Sequence, residues 1–116
     1  SHVPLSGHGQ IGNYYFENQE AFSRYQADAA VRDALALCPH PVACIAGHVH
    51  WNTVTVVNGI YHFTQQSLTE TFATQGQPAS AWGMLELDET VNWQVFGRDP
   101  FAFSMTPTAT RWMPPR

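Results

Sequence analysis

The sequence predicts a mixed α/β fold in which one long helix precedes a buried strand and then mostly antiparallel strands. Residues 18–37 contain no glycine or proline and many alanines, which is typical of a helix. Residues 42–46 form a short, continuously apolar run with the length of a strand that is buried on both faces. Asn58-Gly59 lies between two segments rich in β-branched and aromatic residues and indicates a hairpin.

The helix prediction also depends on side-chain spacing. Phe22, Tyr25 and Ala29 recur at helical intervals. Asp28 precedes Arg32 by four residues, the spacing at which opposite charges meet on a helix surface. Two prolines follow shortly after residue 37, and we expect them to end the helix.

The rest of the chain favours strands and loops. Residues 1–13 contain closely spaced glycines and a proline, so they predict a long loop. The tail, residues 99–116, carries four prolines and scattered aromatic residues, and we expect it to lie extended against other structure. We therefore divide the chain into a domain portion, 1–98, and this tail. Strands are predicted at residues 53–57, 60–64, 67–72, 81–87 and 91–96.

Composition limits the partners of the protein. Hydrophobic residues make up 44% of the chain and charged residues 12%, which indicates a folded chain with much of its surface covered. A net charge of -4 provides no basic field for a nucleic acid. No run approaches the roughly 18 apolar residues of a membrane span. We expect a soluble, cytoplasmic protein, and a homo-oligomer remains open. The 116 residues fit one small domain or half of a larger one.

Cys38 and Cys44 are the two cysteines. Their spacing of six, with prolines between them, matches neither a zinc motif nor a redox pair. Buried free thiols are the simpler interpretation, and a local disulfide in an oxidising compartment is the alternative.

Two histidines follow the apolar strand directly, in Gly47-His48-Val49-His50. The glycine is expected to let the backbone turn, so that both imidazoles aim at one point. Neutral imidazole is the commonest protein ligand for zinc and also suits iron. An isolated pair of this kind is more often two ordinary loop residues. Its place at the carboxyl end of a strand, where α/β sheets bind ligands, favours a metal site.

These residues resemble a known family. Gly47-His48-Val49-His50 resembles the Gly-His-x-His signature of the calcineurin-like metallophosphoesterases. The first five residues, Ser-His-Val-Pro-Leu, resemble the earlier single-histidine block of that family, and the intervening segment is similar in spacing. The resemblance covers residues 1 to about 96. It implies the C-terminal half of a four-layer αββα sandwich and a hydrolase of phosphomonoesters or phosphodiesters. The bacterial branches suggest small cyclic phosphodiesters, such as cyclic nucleotides, or glycerol-type phosphodiesters.

The resemblance also implies a dinuclear site with two divalent or trivalent ions of Fe, Mn or Zn. His2 and His48 would bind one metal and His50 the other. The family completes the site with Asp-x-His, Gly-Asp and Gly-Asn-His-Asp or Gly-Asn-His-Glu blocks, which this chain lacks. Its Gly-Asn dipeptide at residues 12–13 is followed by tyrosine. We therefore expect an N-terminal portion of the same protein or gene product to complete the site, and expect no activity without it.

The acidic residues of this chain do not replace the missing blocks. Three imidazoles cannot bridge two cations, and a carboxylate is needed for that role. Eight of the nine acidic residues lie in predicted helices, strands or turns and are expected to be solvated: Glu17, Asp28, Asp33, Glu70, Glu86, Asp88, Glu89 and Asp99.

Several other residues are weaker candidates. His8 could contact the scissile phosphate or leaving group, although a solvent-facing loop histidine is the simpler interpretation. Trp51 could wall a substrate pocket or anchor a core. His62 suits a hydrogen-bonded sheet position, and His40 a turn. Gln65, Gln66 and Ser67 could orient metal-bound histidines by hydrogen bonds, although nothing in their spacing requires it.

Two other classes of protein remain as alternatives. Cupin-like β-rich modules also carry His-x-His on strands, but they need a glutamate four or five residues later, where this chain has Val54 and Thr55. A non-catalytic interaction subunit could keep the fold without the chemistry. The intact histidines at positions 2, 48 and 50 favour the hydrolase over the interaction subunit.

Overall fold

The computed structural model describes residues 1–7, 10, 12–38 and 43–106. The mixed α/β class and the predominance of antiparallel pairing are confirmed, because one strand pair is parallel and the others are antiparallel. The elements in chain order are α1 (Glu20–Ser23), α2 (Asp28–Leu37), β1 (Ala43–Ala46), β2 (Thr53–Val57), β3 (Ile60–Thr64), β4 (Trp82–Leu87), β5 (Val91–Phe96) and β6 (Phe101–Met105).

The strands form two three-stranded sheets. Sheet A has the order β1-β3-β2, so β3 is central, parallel to β1 and antiparallel to β2. Sheet B is an antiparallel meander in the order β4-β5-β6. Phe63 of β3 packs against Trp93 and Phe103, with ring centroids 6.1 and 5.7 Å apart. The core therefore lies where the two sheets face each other.

Sheet B shows the alternation of a sheet with one buried face. Val91, Trp93 and Val95 on β5 are buried, and the residues between them are more exposed. The ring of Trp93 lies so close to Gly83 on β4 that an added Cβ would approach it to 2.4 Å. A glycine is needed at that position because the indole fills the space of a side chain.

The predicted hairpin joins β2 to β3. Val57 pairs with Ile60, and the two residues between them have φ values of 51° for Asn58 and 73° for Gly59. Positive φ at both central residues is the geometry of a type I′ turn, which follows the twist of the flanking strands. The hairpin prediction is confirmed.

The prediction of one long helix over residues 18–37 is wrong, because the segment is divided into α1 and α2. Arg24 is extended, with φ -145° and ψ 162°. The backbone N–H of Tyr25 donates to the carbonyl of Pro4 at 3.1 Å. This long-range hydrogen bond withdraws a donor from the helix, and local sequence carries no sign of it. The predicted ion pair is present, with Asp28 Oδ2 3.0 Å from Arg32 Nη1.

Strand β1 is found where it was predicted, but it is not buried on both faces. It is an edge strand of sheet A, and Ala43, Cys44 and Ile45 are only half-buried. The strand predicted at residues 67–72 is absent. The backbone N–H of Glu70 donates to the carbonyl of Ser67, and the chain turns there instead.

The tail contributes a strand. β6 pairs with β5 and completes sheet B, and Met105 is buried in the core. Its extended conformation agrees with the prediction, while its pairing was not foreseen. Residues 107–116, His8 and the proline-flanked His40 lie outside the described residues. The division at residue 98 and the four-layer αββα arrangement remain predictions.

Neither described helix is long and apolar enough to cross a bilayer.

Phe63 provides a test of the core. The side chain is 1% exposed, so Phe63→Ala should lower the free energy of unfolding by about 3–5 kcal/mol through lost burial and the cavity left behind. The matched control is Phe22→Ala, whose side chain is 65% exposed and should cost no more than about 0.5 kcal/mol. Urea unfolding measures both. Equal losses of unfolding free energy in the two variants would contradict a core centred on Phe63.

Candidate metal centre

The candidate site lies at the carboxyl end of β1. We call residues 47–52 the histidine loop, because they join β1 to β2 and contain His48 and His50. The N-terminal segment runs beside this end of the strand. The amino group of Ser1 donates to the carbonyl of Ile45 at 2.9 Å, and the N–H of Gly47 donates to the carbonyl of His2 at 3.0 Å. These bonds bring His2 to the histidine loop from 46 residues away.

His2 and His48 are in direct contact. Nδ1 of His48 lies 3.2 Å from Nε2 of His2, and the ring planes are 76° apart. Two nitrogens that each lie about 2.1 Å from one tetrahedral metal are separated by about 3.4 Å. The pair therefore fits two ligands of one metal. The same distance also suits a hydrogen bond between the rings when one nitrogen carries a proton.

The second nitrogen of His48 has a backbone partner. Nε2 of His48 lies 2.6 Å from the carbonyl oxygen of Phe22. A carbonyl only accepts, so the N–H of the neutral ring is at Nε2 and the lone pair is at Nδ1, facing His2. Metal-binding histidines commonly donate their other ring nitrogen to a carbonyl or carboxylate in this way.

The turn of the loop is made by the histidines and not by Gly47. His48 has φ 65° and His50 has φ 61°, whereas Gly47 is not among the residues with positive φ. The N–H of Val49 donates to the carbonyl of Gly47 at 2.7 Å, which closes a tight turn around His48. The role expected of Gly47 is therefore wrong. Backbone conformations of this kind cost of order 1–3 kcal/mol each and collect at functional sites.

His50 faces a buried carboxylate. Its Nδ1 lies 3.4 Å from Oε2 of Glu70, a residue that is 3% exposed. Oε1 of Glu70 accepts the backbone N–H groups of Thr71 at 2.8 Å and Phe72 at 2.6 Å. The hydroxyl of Tyr14 donates to Oε2 at 3.2 Å. The prediction that Glu70 is a solvated surface residue is wrong, because these donors replace water around its charge.

Asn13 connects the N-terminal loop to the histidine loop. The residue is 1% exposed, and its Nδ2 donates to the carbonyl of Val49 at 3.0 Å. Its Oδ1 accepts the N–H groups of Tyr15 and Phe16, both at 3.0 Å. One side chain therefore satisfies three backbone groups and holds the loop between the two histidines.

An aromatic group packs beside Glu70. Tyr14 stacks on Phe72 with centroids 4.3 Å apart and lies 6.4 Å from Trp51. The pKa of Tyr14 is raised, first because the phenol is partly desolvated and then because the charge of Glu70 and the hydrogen bond to it favour the protonated phenol. Trp51 lies beside Tyr14 but does not line the cleft that the histidines border, so its role as a pocket wall stays a prediction.

The three histidines border one cleft of about 420 Å³. Gln65, Gln66 and Ser67 also line it, but no described hydrogen bond joins them to a histidine. Nε2 of Gln66 donates to Oδ2 of Asp99 at 2.9 Å, and its backbone N–H donates to Oδ1 of Asn52. The residues suggested by the sequence are therefore not the hydrogen-bond partners of His48 and His50. The partners in the structure are the Phe22 carbonyl and Glu70.

The remaining buried acid is also paired. Asp28 was expected to be solvated, yet it is buried beside Arg24 and Arg32, at 3.5 and 3.0 Å. Within the described ranges, no group of three or more histidine, cysteine or acidic residues could together hold a metal ion. This part of the chain therefore offers a pair of ligands and an adjacent third imidazole, without a bridging carboxylate.

The cysteines stand apart from the site. Cys38 and Cys44 are half-buried and are not joined by a disulfide, and burial raises the pKa of the Cys44 thiol. A raised pKa disfavours the thiolate that metal binding requires. The loop position of His48 and His50 also differs from the strand position that a cupin-like site needs.

The chain has a distant likeness to a solved structure. No family model matches the chain, and no curated protein matches it. Among solved structures, it is similar to a crystal structure of a single mutant of Vps29 from Entamoeba histolytica, with 18% sequence identity and a TM-score of 0.44. The match covers 85% of this chain and 52% of that one, so the chain spans about half the length of the structure it matches. This similarity is too low to assign an activity or a partner.

Asn13→Ala should loosen the histidine loop. It leaves the Val49 carbonyl and the part-buried N–H groups of Tyr15 and Phe16 without their partner, so the free energy of unfolding should fall by about 1–3 kcal/mol. The matched control is Asn18→Ala at an exposed position, which should change it by less than about 0.5 kcal/mol. Urea unfolding measures both. An Asn13→Ala protein as stable as the control would contradict this role.

Tyr14 should respond to the charge of Glu70. Its pKa lies above the ordinary 10.0, so folding favours the protonated phenol, and this contribution to stability is lost as the pH rises above 10.0. Glu70→Gln should lower the Tyr14 pKa but leave it raised, because desolvation is the larger cause. NMR titration with ring-labelled tyrosine, assigned with Tyr14→Phe, measures this. An unchanged Tyr14 titration would show that Glu70 does not act on the phenol.

Proposed function

We propose that this protein hydrolyses phosphoesters at a dinuclear metal site of which this chain supplies the histidines. The observation that carries the proposal is the pair of ring nitrogens on His2 and His48, 3.2 Å apart with the remaining N–H of His48 bonded to a carbonyl. That arrangement places the lone pair of His48 Nδ1 beside Nε2 of His2, at a separation that suits two ligands of one metal. His50 borders the same cleft and would bind the second metal.

Charge supports a metal in this cleft. No lysine or arginine lines it within the described residues. The described arginines are engaged elsewhere, since Arg24 and Arg32 pair with Asp28 and Arg98 donates to the carbonyl of Pro78. A phosphate needs a positive centre, and bound metal would supply one in this cleft.

The residues of this chain have defined tasks in the proposal. His2 and His48 would hold one ion of Fe, Mn or Zn, and His50 the other. Two such ions would make a bound water acidic and would neutralise charge on the phosphoryl oxygens. The turn of the histidine loop, held by Asn13, keeps the imidazoles at fixed separation. Phosphomonoesters and phosphodiesters both suit this chemistry, and small cyclic or glycerol-type phosphodiesters are the proposed substrates.

The site needs a second portion of protein. Leu85 and Leu87 pair with the core residues Trp93 and Val91 and share their face of sheet B. Both lie on the edge strand β4 and are exposed, Leu87 to 62%. The apolar face of sheet B is thus uncovered at β4 within the described structure. We propose that an N-terminal portion of the same protein or gene product covers it and brings the bridging carboxylates.

A non-catalytic interaction subunit is the second candidate. It is favoured by the absence of a three-ligand group among the described residues and by the exposed apolar edge at β4. Such a protein would bind its partner through this edge without assembling a metal centre. Metal content distinguishes the two candidates.

The test uses elemental analysis of the protein purified with any associated portion, together with hydrolysis of a chromogenic aryl phosphodiester and monoester. The wild-type assembly should contain two metals. His2→Gln and His48→Gln should each lose the same metal, and the double variant should lose no more than either single one. His50→Gln should lose the other metal.

The pattern of metal loss serves as its own control. Three similar substitutions in one cleft should remove two different metals, one shared by His2→Gln and His48→Gln and the other specific to His50→Gln. Hydrolysis should fall in all three variants. If the double variant lost both metals while each single variant lost one, the assignment of His2 and His48 to a common ion would be wrong. A stable assembly with neither metal nor hydrolysis would establish the interaction subunit instead.

A further inference from the structure

We propose that Glu70 is a positioning residue that holds the His50 ring with its N–H at Nδ1 and the lone pair of Nε2 available to the cleft. The inference rests on the proposed function for its purpose, since it assigns to His50 the nitrogen that would bind the second metal. The geometry itself is independent of that function. Glu70 was not identified from the sequence because no local pattern marks it.

The two oxygens of Glu70 share the Tyr14 hydroxyl, at 3.4 Å from Oε1 and 3.2 Å from Oε2, but differ in their other partners. Oε1 accepts the N–H groups of Thr71 and Phe72, at 2.8 and 2.6 Å. Oε2 lies 3.4 Å from Nδ1 of His50 and 3.2 Å from the hydroxyl of Tyr14. One oxygen therefore holds the local backbone and the other faces the imidazole.

Burial makes this contact selective. The side chain of Glu70 is 2% exposed, whereas that of His50 is 49% exposed. An ionised carboxylate only accepts hydrogen bonds, and water has little access to Oε2. A donor at Nδ1 is favourable there, and a lone pair at Nδ1 would face another lone pair. The carboxylate therefore selects the tautomer that is protonated at Nδ1.

The other nitrogen of His50 is then available for a ligand. No hydrogen-bond partner for its Nε2 is found among the described residues, and the ring borders the cleft that His2 and His48 also line. His48 shows the complementary arrangement, in which Nε2 donates to the Phe22 carbonyl and Nδ1 faces His2. The two histidines of the loop thus present different ring nitrogens, each selected by its acceptor.

Glu70→Gln tests the positioning without removing the support of the backbone. The glutamine oxygen should stay on the Thr71 and Phe72 amides, because an NH₂ group there would face two N–H donors. The NH₂ group must then face His50, where it can only donate. Nδ1 becomes an acceptor, the ring proton moves to Nε2, and the nitrogen facing the cleft loses its free lone pair.

The direct measurement is the protonation of each ring nitrogen of His50 in the neutral state, read from ¹⁵N NMR spectra and assigned with His50→Gln. Wild type should show the proton at Nδ1, and Glu70→Gln should show it at Nε2. The control is Asp28→Asn, which also replaces a buried carboxylate by an amide but contacts Arg24 and Arg32. It can lower stability, yet it should leave His50 unchanged.

The second measurement is titration with Zn²⁺ alone, followed by calorimetry on the protein purified with any associated portion. Loss of an orienting partner typically weakens a metal site by about 10–100-fold. Glu70→Gln should lower the affinity for the Zn²⁺ that His50→Gln removes by about this factor. It should leave the affinity for the other Zn²⁺ unchanged. Tyr14→Phe keeps the ring and the Glu70 charge, so it should retain the wild-type tautomer.

The two measurements separate this inference from the proposed function. A change of tautomer in Glu70→Gln but not in Asp28→Asn supports positioning by Glu70, even if wild type binds no Zn²⁺ and the hydrolase proposal fails. If wild type binds Zn²⁺ and Glu70→Gln keeps the wild-type tautomer, the positioning role is wrong and the hydrolase proposal stands. The same tautomer in wild type and Glu70→Gln overturns the inference in every case.

Discussion

The end of strand β3 anchors both ends of the histidine loop, and the rest of the site depends on this contact. Thr64, the last residue of β3, pairs with Ala46 of β1 and Thr53 of β2. Its hydroxyl donates to the carbonyl of Trp51 and lies 2.6 Å from the Thr53 hydroxyl, and the N–H of the next residue donates to the carbonyl of Ala46 at 2.8 Å. Both ends of the loop are therefore anchored on one strand. Phe63 fixes that strand in turn by packing between the sheets.

Within this frame, hydrogen-bond acceptors decide what each imidazole offers. The two positive-φ conformations cost about 1–3 kcal/mol each. The hydrogen bonds that hold the loop contribute stabilising free energies of the same order, about 0.5–1.5 kcal/mol for neutral pairs and about 1.5–3 kcal/mol where a charge is involved. The buried charge of Glu70 and the amide of Asn13 supply such bonds. The loop is thus a strained segment stabilised by side chains from distant parts of the chain, which is a common property of ligand-binding sites.

The incomplete ligand set and the uncovered edge of sheet B have one explanation in the proposed function. A dinuclear centre needs carboxylates that the described residues do not place at the cleft, and the core needs a cover over Leu85 and Leu87. A single additional portion of protein would satisfy both requirements. The interaction subunit explains only the second, which is why metal content is the deciding quantity. Neither requirement depends on the distant likeness to a solved structure.

Local patterns determined a large part of this protein. The turn residues Asn58-Gly59 and the alternation of β5 fix geometry within a few residues, and the sequence by itself determined the α/β class, these strands and the histidine pair as candidate ligands. Only the tertiary structure decided where the helix divides, because Tyr25 bonds to a carbonyl 21 residues earlier. It also decided that Glu70 is buried and which ring nitrogen His50 presents, because the donors and acceptors responsible come from segments up to 56 residues apart. Periodicity records which face a residue occupies, whereas the choice of a hydrogen-bond partner follows from folding alone.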